Sequence, residues 1–93
     1  MKTFCKKYSL HEAVGGLMAW ELGFRDSGIN DPKLALEVKE YFQKMDSTEF
    51  RRTTAKLAQK MFLSDEKIDE GYGLEDVRGL MNFLNNLLGY DAV

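Results

Sequence analysis

The sequence predicts an all-α protein, a compact bundle of about five helices with a hydrophobic C-terminal helix at its centre. Three observations lead to this fold class. The 93 residues include a single proline. Apolar residues recur at three- and four-residue spacing rather than in the alternation of β-strands. Several segments also begin with a capping residue that an acidic residue follows three positions later. The length suits one domain over residues 1–93.

The first two helices are predicted from their N-terminal signals. The stretch 9–12, Ser-Leu-His-Glu, fits a capping box. The apolar residues behind it keep helical spacing: Leu10, Ala13, Val14, Leu17, Met18 and Phe24. Residues 24–30 have the composition of a loop. Asp31 followed by Pro32 predicts an N-cap with proline at the first helical position, so the second helix extends from there to about Met45.

The middle of the chain predicts a third helix and a short acidic one. Residues 46–49, Asp-Ser-Thr-Glu, offer a further capping box. The helix that follows has an apolar face made of Phe50, Leu57, Ala58, Met61 and Phe62. Ser64 then caps a short helix that is expected to end near residues 71–73, Gly-Tyr-Gly.

The last predicted helix covers residues 74–88 and is apolar around much of its circumference. This breadth predicts a central, buried helix. Its apolar residues are Val77, Leu80, Met81, Phe83, Leu84, Leu87 and Leu88. Gly89 is the expected residue beyond the C-cap, with Tyr90 folding back onto Leu84.

Composition and charge exclude several classes of protein. The apolar fraction of 44% and the charged fraction of 30% are ordinary for a globular protein and argue against disorder. A net charge of −2 supports neither a strongly electrostatic nucleic-acid binder nor a mimic of DNA. No apolar run approaches the roughly 20 residues of a membrane span. Charged residues also interrupt the N-terminal region, which does not resemble a signal peptide. We therefore expect no membrane partner.

The cysteine content gives an expectation for the cellular compartment. Cys5 is the only cysteine, so it cannot form an internal disulfide. The default environment for such a chain is the reducing cytoplasm. We therefore expect a cytoplasmic protein.

The stretch from Thr53 to Gly71 has the order of elements found in a helix-turn-helix. The matching residues are Leu57 and Ala58 as the inward pair of the first helix, Leu63 in the turn, Ser64 as the cap and Ile68 as the buried residue of the second helix. This stretch resembles the helix-turn-helix of repressor-type DNA-binding domains. The resemblance implies a transcriptional regulator that contacts DNA through residues 53–70.

Three residues depart from that motif. Phe62 occupies the turn position where glycine is usual. Asp65 and Glu66 begin the second helix, where a recognition helix points at base edges and passes close to phosphates. Carboxylates there are repelled by the DNA backbone, whereas in the first turn of any helix they offset the positive end of its dipole. These departures favour a structural role for the acidic helix.

Charge is separated along this part of the chain. The basic set, Arg51, Arg52, Lys56 and Lys60, lies along one helix. The acidic set, Asp65, Glu66, Asp69 and Glu70, follows it directly. Each set on its own is typical of a solvated helix face, but their separation favours oriented docking to a partner. Trp20, which lies off the apolar stripe of the first helix, is a candidate interface anchor or an extension of the core.

Nothing in the sequence indicates an enzyme, a metal site or a cofactor. His11 has a glycine four positions later instead of a ligand, and Cys5 lacks a second thiol. The acidic stretch 65–76 lacks the ligand pattern of an EF-hand. A Cys5–His11 nucleophile pair stays open as a minor alternative.

The leading hypothesis is therefore a small non-enzymatic regulator or inhibitor that docks a protein partner through charged and aromatic surface groups. Its size would suit a phage or mobile-element accessory protein. The main alternative is a DNA-binding regulator with phosphate contacts from the basic set. A fainter alternative is an oligomer that binds a phosphorylated small ligand. Gly15, Gly16 and Gly79, which lie within helical patterns, predict close helix packing within the fold or across a homodimer seam.

Overall fold

The structure, a computed structural model, describes residues 3–89. It contains five α-helices: α1 (Leu10–Glu21), α2 (Pro32–Gln43), α3 (Ser47–Ala58), α4 (Asp65–Asp69) and α5 (Leu74–Leu88). A π-helical segment, Gln59–Leu63, continues α3. The described part of the chain contains no strand and one isolated β-bridge, between Phe4 and Tyr8. The all-α class and the number of helices are confirmed.

The chain forms two compact units, Met1–Lys44 and Met45–Val93. The first is called the N-terminal unit below, and the second is called the C-terminal unit. The N-terminal unit contains α1 and α2, whereas the C-terminal unit contains α3, the π-helical segment, α4 and α5. The expectation of a single domain stays a prediction.

In the N-terminal unit, α1 begins as predicted but ends earlier. The Glu12 carboxylate accepts hydrogen bonds from the Ser9 backbone N–H (3.2 Å) and from the Ser9 hydroxyl (2.7 Å). At the other end Gly23 has a φ of +95°. Its N–H bonds to the Trp20 carbonyl, so the chain leaves the helix there. The prediction that Phe24 lies on the apolar stripe of α1 is wrong, because Phe24 follows this glycine and its side chain is exposed.

The second helix is capped as predicted. The Asp31 carboxylate accepts from the backbone N–H groups of Lys33 (3.0 Å) and Leu34 (3.4 Å). The side chains of Leu34, Val38 and Phe42 are buried at four-residue spacing. The helix ends at Gln43, so Met45 lies beyond it.

The loop between α1 and α2 packs back onto α1 at a glycine. The Ile29 N–H donates to the Gly16 carbonyl (2.8 Å), and the Ile29 side chain occupies the space that a Cβ at residue 16 would need. This contact shows close packing at Gly16, but the packing segment is a loop and not the helix that was predicted. Gly79, in contrast, has nothing within 4 Å of its Cβ position, so its place in a helix has no packing explanation within the described chain.

A buried aromatic residue precedes α1. Phe4 is fully buried, and its ring lies edge-on to Tyr41 of α2, with the centroids 5.2 Å apart. Cys5 and Lys6 both have positive φ, at 51° and 60°, and form the tight turn between Phe4 and Tyr8. No helical periodicity covers this segment, so neither its turn nor the burial of Phe4 is predictable from the sequence pattern.

In the C-terminal unit, α3 begins at its predicted cap, with the Asp46 carboxylate accepting from the Glu49 N–H (2.8 Å). The buried residues of α3 and the π-helical segment are Thr54, Leu57, Ala58 and Phe62. The Thr54 hydroxyl donates to the Phe50 carbonyl (2.8 Å), which satisfies it without a partner from another element.

The last helix has the predicted bounds, but its burial is narrower than its composition predicts. Leu80, Leu84 and Leu88 form one buried stripe. The remaining apolar residues of the predicted set are half-buried: Val77, Met81, Phe83 and Leu87. Gly89 follows the helix with a φ of +78°, as expected of a C′ glycine. The expected contact from Tyr90 lies outside the described residues.

None of the helices within residues 3–89 could cross a bilayer. The longest, α5, has 15 residues, and no described helix combines sufficient length with sufficient apolar character.

Candidate docking surface

The predicted basic residues form an exposed line in the C-terminal unit. Arg51, Arg52 and Lys56 lie on α3, Lys60 lies in the π-helical segment, and all four side chains are exposed. The single salt bridge in the described part of the chain involves none of them. These four cations therefore have no ion-pair partner within this part. We call these four residues the basic line.

The predicted acidic residues lie on α4 and at its end, and all four are exposed. Ser64 caps the helix as predicted, its hydroxyl accepting from the Lys67 N–H at 3.3 Å. Glu70 is paired with Lys67, their charged atoms lying 3.2 Å apart. No ion pair to Asp65, Glu66 or Asp69 occurs among the described residues. Three exposed carboxylates thus form no ion pair within this part of the chain, although the Lys67 ammonium is close enough to Glu66 to interact with it electrostatically.

The structure has only part of the geometry of the helix-turn-helix that residues 53–71 resemble in sequence. Leu57 and Ala58 are buried as the motif requires. However, α4 has five residues, about one and a half turns, and the π-helical segment stands where the motif has a glycine turn. Phe62 is buried within that segment and is not among the residues with positive φ, so it carries no left-handed strain.

The prediction that Ile68 is a buried residue of the second helix is wrong. Its side chain is 51% exposed. The physical reason is the early end of α4: the chain turns at Gly71, and the Tyr72 ring beyond this turn lies against the buried ring of Phe62. A helix of this length has no further turn with which to fold an apolar stripe onto α3.

Three large apolar side chains are exposed where α4 meets α5. Ile68 is 51% exposed, Tyr72 is 40% exposed and Leu74 is 79% exposed. The sequence pattern places Ile68 in the core and the other two in a turn and at a helix start, so it does not predict them as surface residues. The sequence does contain a signal for them: three large apolar residues lie within seven positions of one another, at 68–74, beside a strongly acidic stretch. Together with Asp65, Glu66, Asp69, Glu70 and Glu75, these three residues are called the α4–α5 corner.

The backbone of the α4–α5 corner is fixed by a Schellman motif. The Gly71 N–H donates to the Ile68 carbonyl (3.0 Å), and the Tyr72 N–H donates to the Lys67 carbonyl (3.1 Å). Gly71 adopts the left-handed conformation that the motif requires, with a φ of +99°. The ring centroids of Tyr72 and Phe62 are 5.6 Å apart. The Lys67 ammonium lies 5.5 Å from the centroid of the Tyr72 ring. The exposed side chains therefore project from an ordered turn.

Trp20, the predicted aromatic anchor, belongs to the N-terminal unit. Its side chain is half-buried, and the Arg25 guanidinium lies 4.2 Å from its ring centroid. A cation at this distance over an aromatic ring is an attractive arrangement. Trp20 is thus partly covered by its own unit, whereas its neighbours Leu22 and Phe24 are exposed.

The remaining candidates for chemistry, Cys5 and His11, have structural partners. The Cys5 backbone N–H donates to the Glu37 carboxylate (2.6 Å), and the His11 Nδ1 lies 3.0 Å from the Ser9 hydroxyl oxygen. Desolvation, and then the neighbouring Glu37 carboxylate, raise the pKa of the Cys5 thiol, which disfavours the thiolate form that a nucleophile needs. In the described chain, no group of three or more potential metal ligands comes together.

No protein-family model, curated protein or solved structure matches this chain.

Proposed function

We propose that this chain is a small non-enzymatic regulator or inhibitor that docks a protein partner through the charged surface of its C-terminal unit. A cytoplasmic location and a phage or mobile-element origin belong to the same proposal. The basic line and the α4–α5 corner are the two parts of this surface.

The supporting observation is that seven charges of two signs are exposed and have no ion pair within the described chain: Arg51, Arg52, Lys56, Lys60, Asp65, Glu66 and Asp69. Exposed charges contribute little to folding stability. Separated patches of opposite sign, in contrast, steer and orient an approaching partner. The arrangement is therefore more useful for recognition than for stability.

The test is quantitative capture of host proteins on the immobilised chain, with charge-reversed variants. One variant, Arg52→Glu/Lys56→Glu, inverts the basic line, and another, Asp65→Lys/Glu66→Lys, inverts part of the acidic set. The matched control, Lys33→Glu/Lys44→Glu, reverses two exposed charges of the N-terminal unit. We expect a specific protein that is retained by the wild-type chain and by the control but is lost from at least one of the two variants. Equal retention by all four chains, or no specific protein at all, would refute the proposal.

A DNA-binding regulator is the second candidate, and the exposed basic line is the feature that favours it. However, α4 is short and has carboxylates in its first turn, and both features are unfavourable for a recognition helix. Titration with duplex DNA at low and physiological salt separates the two functions. Sequence-dependent affinity that falls steeply with salt would support the DNA-binding function instead.

A further inference from the structure

We infer that the α4–α5 corner is the docking site for a basic amphipathic helix presented by the partner protein. The inference rests on the proposed function and gives the chemistry of the partner. Its starting point is the juxtaposition of exposed apolar side chains with carboxylates on one ordered turn.

The apolar part of the corner consists of three large side chains that stay exposed in the folded chain. Scattered exposed apolar residues are common on protein surfaces. Here Ile68, Tyr72 and Leu74 are concentrated within seven positions, and Leu74, the most exposed, has 79% of its surface in contact with solvent. Removing such side chains from water would favour a complex.

The charged part of the corner selects a cationic partner. Asp65, Glu66 and Asp69 have no ion pair in the described chain, and Glu75 at the start of α5 is also exposed. Carboxylates in this density repel nucleic-acid phosphates and anionic lipid headgroups. They complement lysine and arginine side chains, and a partner surface must therefore combine such cations with apolar groups.

The shape of the corner favours a helix over an extended segment. Addition of a strand requires free backbone N–H and C=O groups at a sheet edge, and the described chain contains no sheet. The backbone N–H groups of Gly71 and Tyr72 are already used in the Schellman motif. Recognition must therefore use side chains. An amphipathic helix supplies an apolar strip flanked by cations.

A second copy of this chain fits the corner less well. Its basic line would supply the complementary charge. However, α3 contributes none of the exposed large apolar residues of the described chain, so a dimer joined in this way would leave Ile68, Tyr72 and Leu74 against a polar face. The observations therefore favour a foreign helix.

The test uses a synthetic amphipathic peptide of leucine and lysine, about four helical turns long, with a leucine–glutamate peptide of the same pattern as its control. Binding to the full chain is measured by fluorescence anisotropy, and amide shifts locate the contact. The variant Ile68→Ser/Leu74→Ser removes two of the apolar groups. The matched control, Leu36→Ser, changes a residue of α2 with 55% exposure.

We expect the lysine peptide to bind with shifts concentrated in residues 65–75, and the glutamate peptide not to bind. The double variant should weaken binding about tenfold or more, and Leu36→Ser should leave it unchanged. Equal affinity of the double variant and the wild-type chain would overturn the inference. A charge-dependent dimer seen by native mass measurement, with the corner occupied by a second copy, would also overturn it.

Failure of this inference differs from failure of the proposed function. The double variant could retain the captured host protein fully while the charge-reversed variants lose it. In that case the corner does not bind the apolar side of an amphipathic helix, but the proposed docking function is supported. If no specific host protein is captured by the wild-type chain, the docking function itself fails. Loss of the captured protein from the double variant, with retention by Leu36→Ser, supports both.

Discussion

The ring of Tyr72 lies 5.6 Å from the ring of Phe62, so an exposed residue of the α4–α5 corner is joined directly to a buried residue of the C-terminal unit. The chain reverses direction at Gly71, and the Tyr72 N–H then donates to the Lys67 carbonyl. This turn holds Tyr72 close to the end of α4. The corner therefore has a defined geometry before any partner binds. Preorganisation of this kind lowers the entropic cost of association.

The first prediction concerns Gly71 and Gly79, two glycines with nothing within 4 Å of their Cβ positions. Gly71 has a φ of +99°, so Gly71→Ala should lower the free energy of unfolding by about 1–2 kcal/mol. Gly79 lies within α5, so Gly79→Ala should raise it by about 1 kcal/mol through helix propensity. Urea denaturation measures both. A destabilising Gly79→Ala would indicate that the backbone at Gly79 meets a neighbour after all, such as a second copy.

The second prediction concerns Gly28, in the loop that returns to α1. A Cβ at this position would lie 2.6 Å from the Trp20 Cα and 2.7 Å from the Phe24 carbonyl oxygen. These are backbone atoms that cannot rotate away, so Gly28→Ala should lower the free energy of unfolding by about 1–3 kcal/mol. The Trp20 fluorescence should change at the same time, because the Arg25 contact depends on the same loop. An unchanged denaturation midpoint would show that the loop does not approach α1 this closely.

The helices were largely predictable because their caps are local. Asp31, Asp46 and Ser64 each accept a hydrogen bond from a backbone N–H two or three residues later, as their positions predict. The bounds of α5 were also predicted. The loop at residues 24–30 was predicted too, but the exposure of Phe24 was not, because whether the preceding Gly23 adopts positive φ depends on what the loop contacts.

The charged part of the candidate surface was predictable, but its apolar part was not. Long charged side chains are exposed in almost any helix arrangement, so the exposure of Lys56 and Glu66 followed from their type. The exposure of Ile68 depends on where α4 stops, and periodicity along a five-residue helix gives too little information to decide its inward face. Phe4 was missed for a related reason: its burial against Tyr41 joins residues distant in sequence.

The third prediction concerns the reactivity of Cys5, the only thiol in the chain. Desolvation and the Glu37 carboxylate raise the pKa of this thiol above its ordinary value. A raised pKa leaves less thiolate at neutral and mildly alkaline pH, so alkylation by iodoacetamide should be slower in the folded chain than in the chain unfolded in urea. The midpoint of the pH–rate profile should also lie higher in the folded state. If the midpoint of this profile were lower in the folded state than in the unfolded state, the result would instead support a nucleophilic role for Cys5.

The fourth prediction separates residues that hold the C-terminal unit together from residues that are free to bind. Leu84 is fully buried in the stripe of α5, whereas Leu74, at the start of the same helix, is 79% exposed. Leu84→Ala should therefore lower the free energy of unfolding by about 2–5 kcal/mol, and Leu74→Ala should change it by no more than about 0.5 kcal/mol. Urea denaturation of the two variants measures the contrast, with helix content by circular dichroism as the check on folding. A large loss of stability in Leu74→Ala would mean that Leu74 is covered within the fold, and the α4–α5 corner would then lack its most exposed apolar group.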